Sequence, residues 1–106
     1  MLLYDQALVE LEAGDYLQAS EKLWGAAAQA LKSVAERRGW KHDSHAQFYN
    51  IMAEIERDDN TSELRRDFDS AAQLHTNFYE NWLNEDQIRW RAEDVGHFVE
   101  ELNGMS

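Results

Sequence analysis

Two arginines and two histidines lie within nine residues of this sequence, and together they could do chemistry on RNA. A histidine can transfer the proton of a 2′-hydroxyl, and an arginine can stabilise the charge of the phosphorane that follows. The acting pair would be Arg38 with His45, or Arg37 with His42, and no metal ion would be needed. Because Gly39 is the expected end of a helix, the same arginines could instead complete that helix end or pair with nearby acids.

A second set of candidate residues could bind a ligand. These are His75, Asn77, Tyr79 and Glu80, which could line a polar pocket or the seam of a dimer. His75 and Tyr79 lie one helical turn apart and share a face, as do Asn77 and Glu80, but the two pairs point in different directions. A histidine on an apolar stripe is more typical of a hydrogen-bonded core residue. No second histidine lies three or four residues from His75, so we predict no metal site. We also expect no cofactor, because the chain contains no glycine-rich phosphate loop.

Trp90 is the remaining candidate for binding. On a helix it lies roughly 140° from the apolar stripe centred on Val95, so we predict that it is exposed. Because Arg89 and Arg91 flank it, its ring could stack on a nucleotide base. An exposed tryptophan on a small acidic bundle is more typical of a protein contact surface, and we favour that interpretation.

The apolar residues recur at helical spacing almost everywhere, and no segment alternates with the period of two that a strand requires. Gly14 and Gly39 are typical helix ends, and Asp15, Ser44 and Asn84 each precede a glutamine by three residues, as in capping boxes. We predict an all-α fold, an antiparallel up-and-down bundle of four or five helices in which residues 1–106 form one domain. The predicted helices span about 3–13, 16–38, 44–57, 62–82 and 84–103.

Two of these helices carry distinctive apolar patterns. The second has two neighbouring stripes and a run of small residues at 25–28, so we expect it to be the central helix. The fourth has a single stripe that runs from Leu64 through His75 to Trp82.

The composition restricts the partners and the compartment. Twenty-one acidic and ten basic residues give a formal net charge of −11, which repels nucleic acid unless the cations gather on one face. They partly gather, at positions 37–41, 65–66 and 89–91. The chain has no cysteine, which excludes disulfides and thiolate metal sites. Without a basic secretory start or a run of ~20 apolar residues, we expect a soluble, cytoplasmic protein with no membrane partner. Seven arginines against three lysines hint at a salty cytoplasm.

Three segments of the chain resemble a known group of proteins. They are Gly14-Asp15-Tyr16 with the following stretch 19–27, the ending Arg38-Gly39-Trp40, and residues 74–82, LHTNFYENW. Together they resemble the HEPN superfamily of nucleotide-associated helical bundles, and most closely its archaeal PaREP branch. The resemblance covers nearly the whole chain.

The resemblance implies a small bundle that forms homodimers. The superfamily includes ribonucleases of toxin and defence systems and substrate-binding partners of small nucleotidyltransferases. The implied partners are therefore RNA or a nucleotide, a nucleotidyltransferase or an antitoxin chain. The ribonuclease signature of the superfamily is an arginine followed after four to six residues by a histidine. Arg37 with His42 and Arg38 with His45 satisfy that spacing, but they straddle Gly39, whereas active members carry the motif on a late helix.

Three hypotheses about function follow. The leading one is a non-enzymatic interaction or nucleotide-substrate-binding module that is dimeric or accompanies a nucleotidyltransferase. The second is a metal-independent ribonuclease. The third is a tetratricopeptide-like peptide-binding hairpin, which the absence of a repeat disfavours. The sequence does not decide whether the protein is an enzyme.

Overall fold

Five helices follow one another in the computed structural model, which describes residues 2–59 and 63–105, with His45 described by its backbone. They are α1 (Leu2–Glu12), α2 (Tyr16–Arg38), α3 (His45–Asp59), α4 (Glu63–Glu80) and α5 (Glu85–Asn103). No strand occurs in these described ranges, and the predicted all-α class is confirmed. The predicted start of the fourth helix at Ser62 lies outside the described residues.

At α2 the predicted glycine ends are confirmed, and of the predicted capping box the structure shows the half made by Asp15. Gly14 and Gly39 adopt left-handed φ values of +83° and +75°, which other residues rarely adopt. The backbone N–H of Trp40 donates to the carbonyl of Ala35 at 2.8 Å and closes the last turn. The side chain of Asp15 accepts the backbone N–H of residue 18 at 3.2 Å.

The caps of α3 and α5 differ in detail. At α5 the capping box is complete, because Asn84 accepts the backbone N–H of Gln87 at 2.9 Å and the Gln87 side chain accepts that of Asn84 at 3.0 Å. At α3, Ser44 accepts the backbone N–H of Gln47 at 3.4 Å, but the Gln47 side chain accepts the N–H of Asp43 at 2.8 Å. Each cap fixes where its helix begins.

The core runs along α2, which packs against α1, α4 and α5, while α4 also packs along α5 and α3 lies more lightly on α2 and α4. This confirms the predicted central position of α2. Because α4 and α5 cover α2, the packing argues against the tetratricopeptide-like alternative. On α5, Gly96 admits α1: a Cβ there would lie 2.6 Å from the hydroxyl of Tyr4, which donates to the carbonyl of Ala92 at 3.2 Å.

The predicted stripe on α4 is correct in its first half and wrong in its second. From Leu74 the core face passes through Asn77, and the exposed fraction of Trp82 is 59%. Spacings of three and four residues fit the predicted stripe through His75 as well as the observed one through Leu74 and Asn77, because a helical turn contains 3.6 residues. The helix ends at Glu80, and Asn81 turns the chain with a left-handed φ of +51°. Trp82 therefore lies beyond the helix that was predicted to bury it.

Candidate functional site

The two arginines of the α2–α3 junction, which we define as residues 37–45, each bond to another part of the fold. Nη2 of Arg37 donates to the carbonyl of Leu102 at 3.0 Å, in the last turn of α5, where a cation is favourable. Arg38 donates to both carboxylate oxygens of Asp59 at 3.2 and 3.4 Å. Both side chains thus tie the end of α2 to the end of another helix.

Of the two junction histidines, His42 is the one whose side chain the structure describes, and it lies near an acid of α2. Nε2 of His42 lies 3.6 Å from a carboxylate oxygen of Glu36, on α2 itself. Arg37 reaches α5 whereas His42 turns back to α2, so the two side chains contact different elements. The side chain of His45 lies outside the described part of the chain, and its pairing with Arg38 stays a prediction.

His75 lies at the seam between α2 and α4. Its ring stacks on Trp24, with centroids 4.8 Å apart and an interplanar angle of 24°. Its Nδ1 lies 3.4 Å from a carboxylate oxygen of Glu21. Tyr79 meets the same ring edge-on at 5.5 Å, so the predicted sharing of one face by His75 and Tyr79 is confirmed.

Asn77 has a structural role that sequence reasoning did not find. The residue is fully buried, and its Oδ1 accepts the backbone N–H groups of Trp82 and Leu83, both at 2.8 Å. Its Nδ2 donates to Oγ of Ser20 at 3.1 Å, which joins the turn after α4 to α2. Glu80 is exposed at the end of α4. The structure therefore does not assemble the four predicted residues into one pocket.

Trp90 opens onto a groove between α4 and α5. Its exposed fraction is 53%, which confirms the predicted exposure, and the guanidinium of Arg91 lies 4.9 Å from the centre of its ring. This α4–α5 groove has a volume of about 510 Å³ and is lined by Arg66, Asp69, Ser70, Trp90, Arg91 and Asp94.

Arg66 and Arg91 differ from most arginines of this chain. Within the ranges that the structure describes, neither forms an ion pair, whereas a carboxylate pairs with each of Arg38, Arg57, Arg65 and Arg89. Nη1 of Arg91 donates to Oγ of Ser70 at 3.4 Å, and its buried Nε has no hydrogen-bond partner among the described residues. Both guanidinium groups therefore keep donors that an anion could use.

Two carboxylates moderate the charge of the groove. Asp94 accepts the hydroxyl of Ser70 at 2.5 Å, and Asp69 lies on the wall formed by α4. Two arginines against two aspartates give the lining no net formal charge. Such a lining repels a phosphate less than the net charge of −11 alone would suggest.

Next to this groove, the buried Asp67 of α4 bonds to His97 of α5. Nδ1 of His97 lies 2.5 Å from Oδ2 of Asp67, and this nitrogen carries the proton because a carboxylate can only accept. The hydrogen bond raises the pKa of His97 above its ordinary 6.5, although partial burial opposes the shift. The His97 side chain is 44% exposed, and its Nε2 lies 3.7 Å from Glu101. Asp67 thus holds an imidazole whose other nitrogen lies near the surface.

One family model matches residues 2–99, and its description is the Archaeal PaREP1/PaREP8 family. The chain belongs to that family. All three segments that carry the resemblance lie within the matched residues. The resemblance to PaREP proteins is confirmed, and the link to the HEPN superfamily stays a prediction. No curated protein and no solved structure matches the chain.

None of the helices in the described ranges is long and apolar enough to cross a bilayer. Among the side chains that the structure describes, no group of three or more histidines, cysteines and acids could hold a metal ion.

Arg91 and His97 are a further arginine and histidine at the spacing of the signature, and they were not among the predicted candidates. Five residues separate them, which satisfies the four-to-six spacing considered at the junction, and both lie on α5, the last described helix. In the structure Arg91 contacts Ser70 and His97 contacts Asp67, one turn apart on α4. Applying the same spacing to every arginine of the PaREP1/PaREP8 chain would have found this pair.

Proposed function

We propose that this PaREP1/PaREP8 family protein is a HEPN-like helical module that binds a nucleotide or RNA in the α4–α5 groove. The observation that carries the proposal is the presence in one groove of Arg66 and Arg91, which have no carboxylate partner in the described ranges. A guanidinium group with unused donors gains most from a phosphate, which can accept two of its N–H groups at once.

Residues near Arg66 and Arg91 could contact the other parts of a nucleotide, above all its base. Trp90 offers a ring on which a base can stack, a contact that contributes about 1–3 kcal/mol per base in single-strand complexes. The hydrogen bond to Asp67 raises the pKa of His97 and so favours the protonated imidazole, whose Nε2 is a further donor. The protein would thus recognise phosphate and base together.

Binding can be tested with an RNA octamer whose 2′-hydroxyls are methylated, because it keeps its phosphates and bases but cannot be cleaved through the 2′-oxygen. Trp90→Ala should weaken its binding between about 5-fold and 100-fold in fluorescence anisotropy. Trp82→Ala is the matched control, since Trp82 is equally exposed but lies at the turn after α4. Failure of the wild-type protein to bind, or equal losses in the two variants, would contradict the proposal.

A second candidate function is metal-independent ribonuclease activity, favoured by the Asp67–His97 bond on the same helix as Arg91. In its neutral form, Nε2 of His97 would accept the 2′-hydroxyl proton as the 2′-oxygen attacks phosphorus, and Arg91 would stabilise the phosphorane. The imidazolium would then return that proton to the 5′-oxygen as the bond from phosphorus to the 5′-oxygen breaks, which leaves a 2′,3′-cyclic phosphate and a 5′-hydroxyl. The junction candidates, Arg37 with His42 and Arg38 with His45, are the competing assignment.

Unmodified RNA in the presence of a metal chelator separates these assignments. If the protein is a ribonuclease that uses α5, His97→Gln should lower the cleavage rate at least about 100-fold. The variants His42→Gln and His45→Gln should cleave at the wild-type rate. An inactive wild-type protein rejects ribonuclease activity, and loss of cleavage in a junction variant rejects the α5 assignment.

We also propose that the chain forms a homodimer, and that its partner in some settings is a nucleotidyltransferase or antitoxin chain. Leu2 and Val9 support pairing, because they lie two turns apart on one face of α1 and are 73% and 70% exposed. Light scattering after size-exclusion chromatography should give twice the chain mass of 12.4 kDa, and Val9→Glu should lower it. A monomeric wild-type protein would contradict the dimer.

A further inference from the structure

We infer that a second nucleotide binds on the other side of α4, so that the ligand is a single-stranded oligonucleotide rather than a mononucleotide. The inference rests on the proposed function of the α4–α5 groove. It comes from a second groove, between α3 and α4, whose volume is about 520 Å³. Its floor contains the buried side chains of Met52 and Phe68, and its rim contains Tyr49, Arg57, Arg65 and Asp69.

The two grooves adjoin across a single ridge of α4. Successive residues on a helix point about 100° apart, so Arg65 faces the α3–α4 groove while Arg66 faces the α4–α5 groove. Asp69 lies about 40° from Arg65 and about 60° from Arg66, and it lines both grooves. A strand that crosses this ridge would therefore pass from one arginine directly to the next.

Each groove also has an aromatic ring on which a base can stack. Tyr49 is 56% exposed, and Phe68 supports it in an edge-to-face contact with centroids 5.3 Å apart. In the α4–α5 groove, the exposed ring is that of Trp90. Aromatic rings beside side chains that bind the backbone are the usual means of binding single strands without reading their sequence, and each groove has arginines beside its ring.

The arginines of the α3–α4 groove can exchange their present partners for phosphate. Arg65 donates to both carboxylate oxygens of Glu56 at 3.1 and 2.5 Å, and Arg57 donates to Glu54 at 3.0 Å. Both arginines are largely exposed, where ion pairs contribute little. Together the two grooves contain four of the seven arginines of this acidic chain.

The experiment compares 2′-O-methyl oligouridylates of one, two, four and eight nucleotides by isothermal titration calorimetry. The affinity should rise at least about tenfold from one to four nucleotides. Tyr49→Ala should weaken the tetranucleotide at least about fivefold and leave the mononucleotide unchanged. Tyr49→Phe should bind like wild type, and Tyr79→Ala is the matched control because Tyr79 is exposed at the far end of α4.

The outcomes separate this inference from the proposed function. If the mononucleotide binds but the affinity does not grow with length, the second subsite is wrong and the α4–α5 groove stands. If no length binds, both fail. Circular dichroism confirms that each variant is folded. Arg65→Gln is a second variant of the same groove, and equal affinity of Tyr49→Ala, Arg65→Gln and wild type for the tetranucleotide would overturn the inference.

Discussion

The α2–α3 junction and the surroundings of the α4–α5 groove both contain arginine and histidine at similar spacing, yet the arginines of the two regions have different partners. At the junction, Arg37 bonds to the end of α5 and Arg38 to Asp59 at the end of α3. In the groove, Arg66 and Arg91 have no carboxylate partner within the described ranges, and an exposed tryptophan lies beside them. The neighbours of an arginine therefore decide whether it keeps donors for a ligand, and spacing alone does not reveal this.

The largest expected effect is on affinity, and it tests whether the two regions differ in function. Arg91→Gln should weaken binding of the 2′-O-methyl octamer at least about tenfold, because hydrogen bonds to a charged group contribute about 1.5–3 kcal/mol. Arg37→Gln removes the same charge from the junction and should bind like wild type. Fluorescence anisotropy at one fixed salt concentration measures both, and an equal loss in the two variants would remove the distinction.

A smaller effect, on stability, is expected at the junction. Arg38→Gln breaks the pair with Asp59 and the contact with the Trp40 ring, whose centre lies 5.3 Å from the guanidinium. Both pair members are partly exposed, so we expect a loss of about 1 kcal/mol in the free energy of unfolding and a melting temperature lower by about 4–8 °C. Octamer affinity should not change. An unchanged melting temperature together with weaker octamer binding would mean that Arg38 binds the ligand and does not stabilise the fold.

The smallest effect concerns pH and tests whether Asp67 holds His97 in the folded protein. Because folding raises the pKa of His97 above 6.5, its contribution to stability is fully present below pH 6.5 and is lost as pH rises through the folded pKa. The difference in unfolding free energy between wild type and His97→Gln should therefore shrink from pH 5.5 to 8.5 in urea titrations. His42→Gln is the control. A difference that stays constant or grows with pH would contradict the bond to Asp67.

Local signals in the sequence predicted most of the fold. The features that they did not predict, the end of α4 and the burial of Asp67, depend on long-range contacts. Gly14 and Gly39 end helices through their own conformation, so the sequence suffices there. The end of α4 depends on Asn77, whose amide bonds to the following turn and to Ser20, 57 residues away. No local pattern contains that contact. The burial of Asp67 likewise depends on how α4 and α5 pack, which its position in the sequence does not reveal.

The tryptophan indole N–H signals test the central claim most directly, because Trp40 lies at the α2–α3 junction and Trp90 in the α4–α5 groove. The 2′-O-methyl octamer is titrated into ¹⁵N-labelled protein, and the four indole signals are followed in ¹H–¹⁵N correlation spectra. We predict that the Trp90 signal shifts with added octamer and that the Trp40 signal does not. A shift of Trp40 with Trp90 unchanged would place the binding site at the junction and contradict the account.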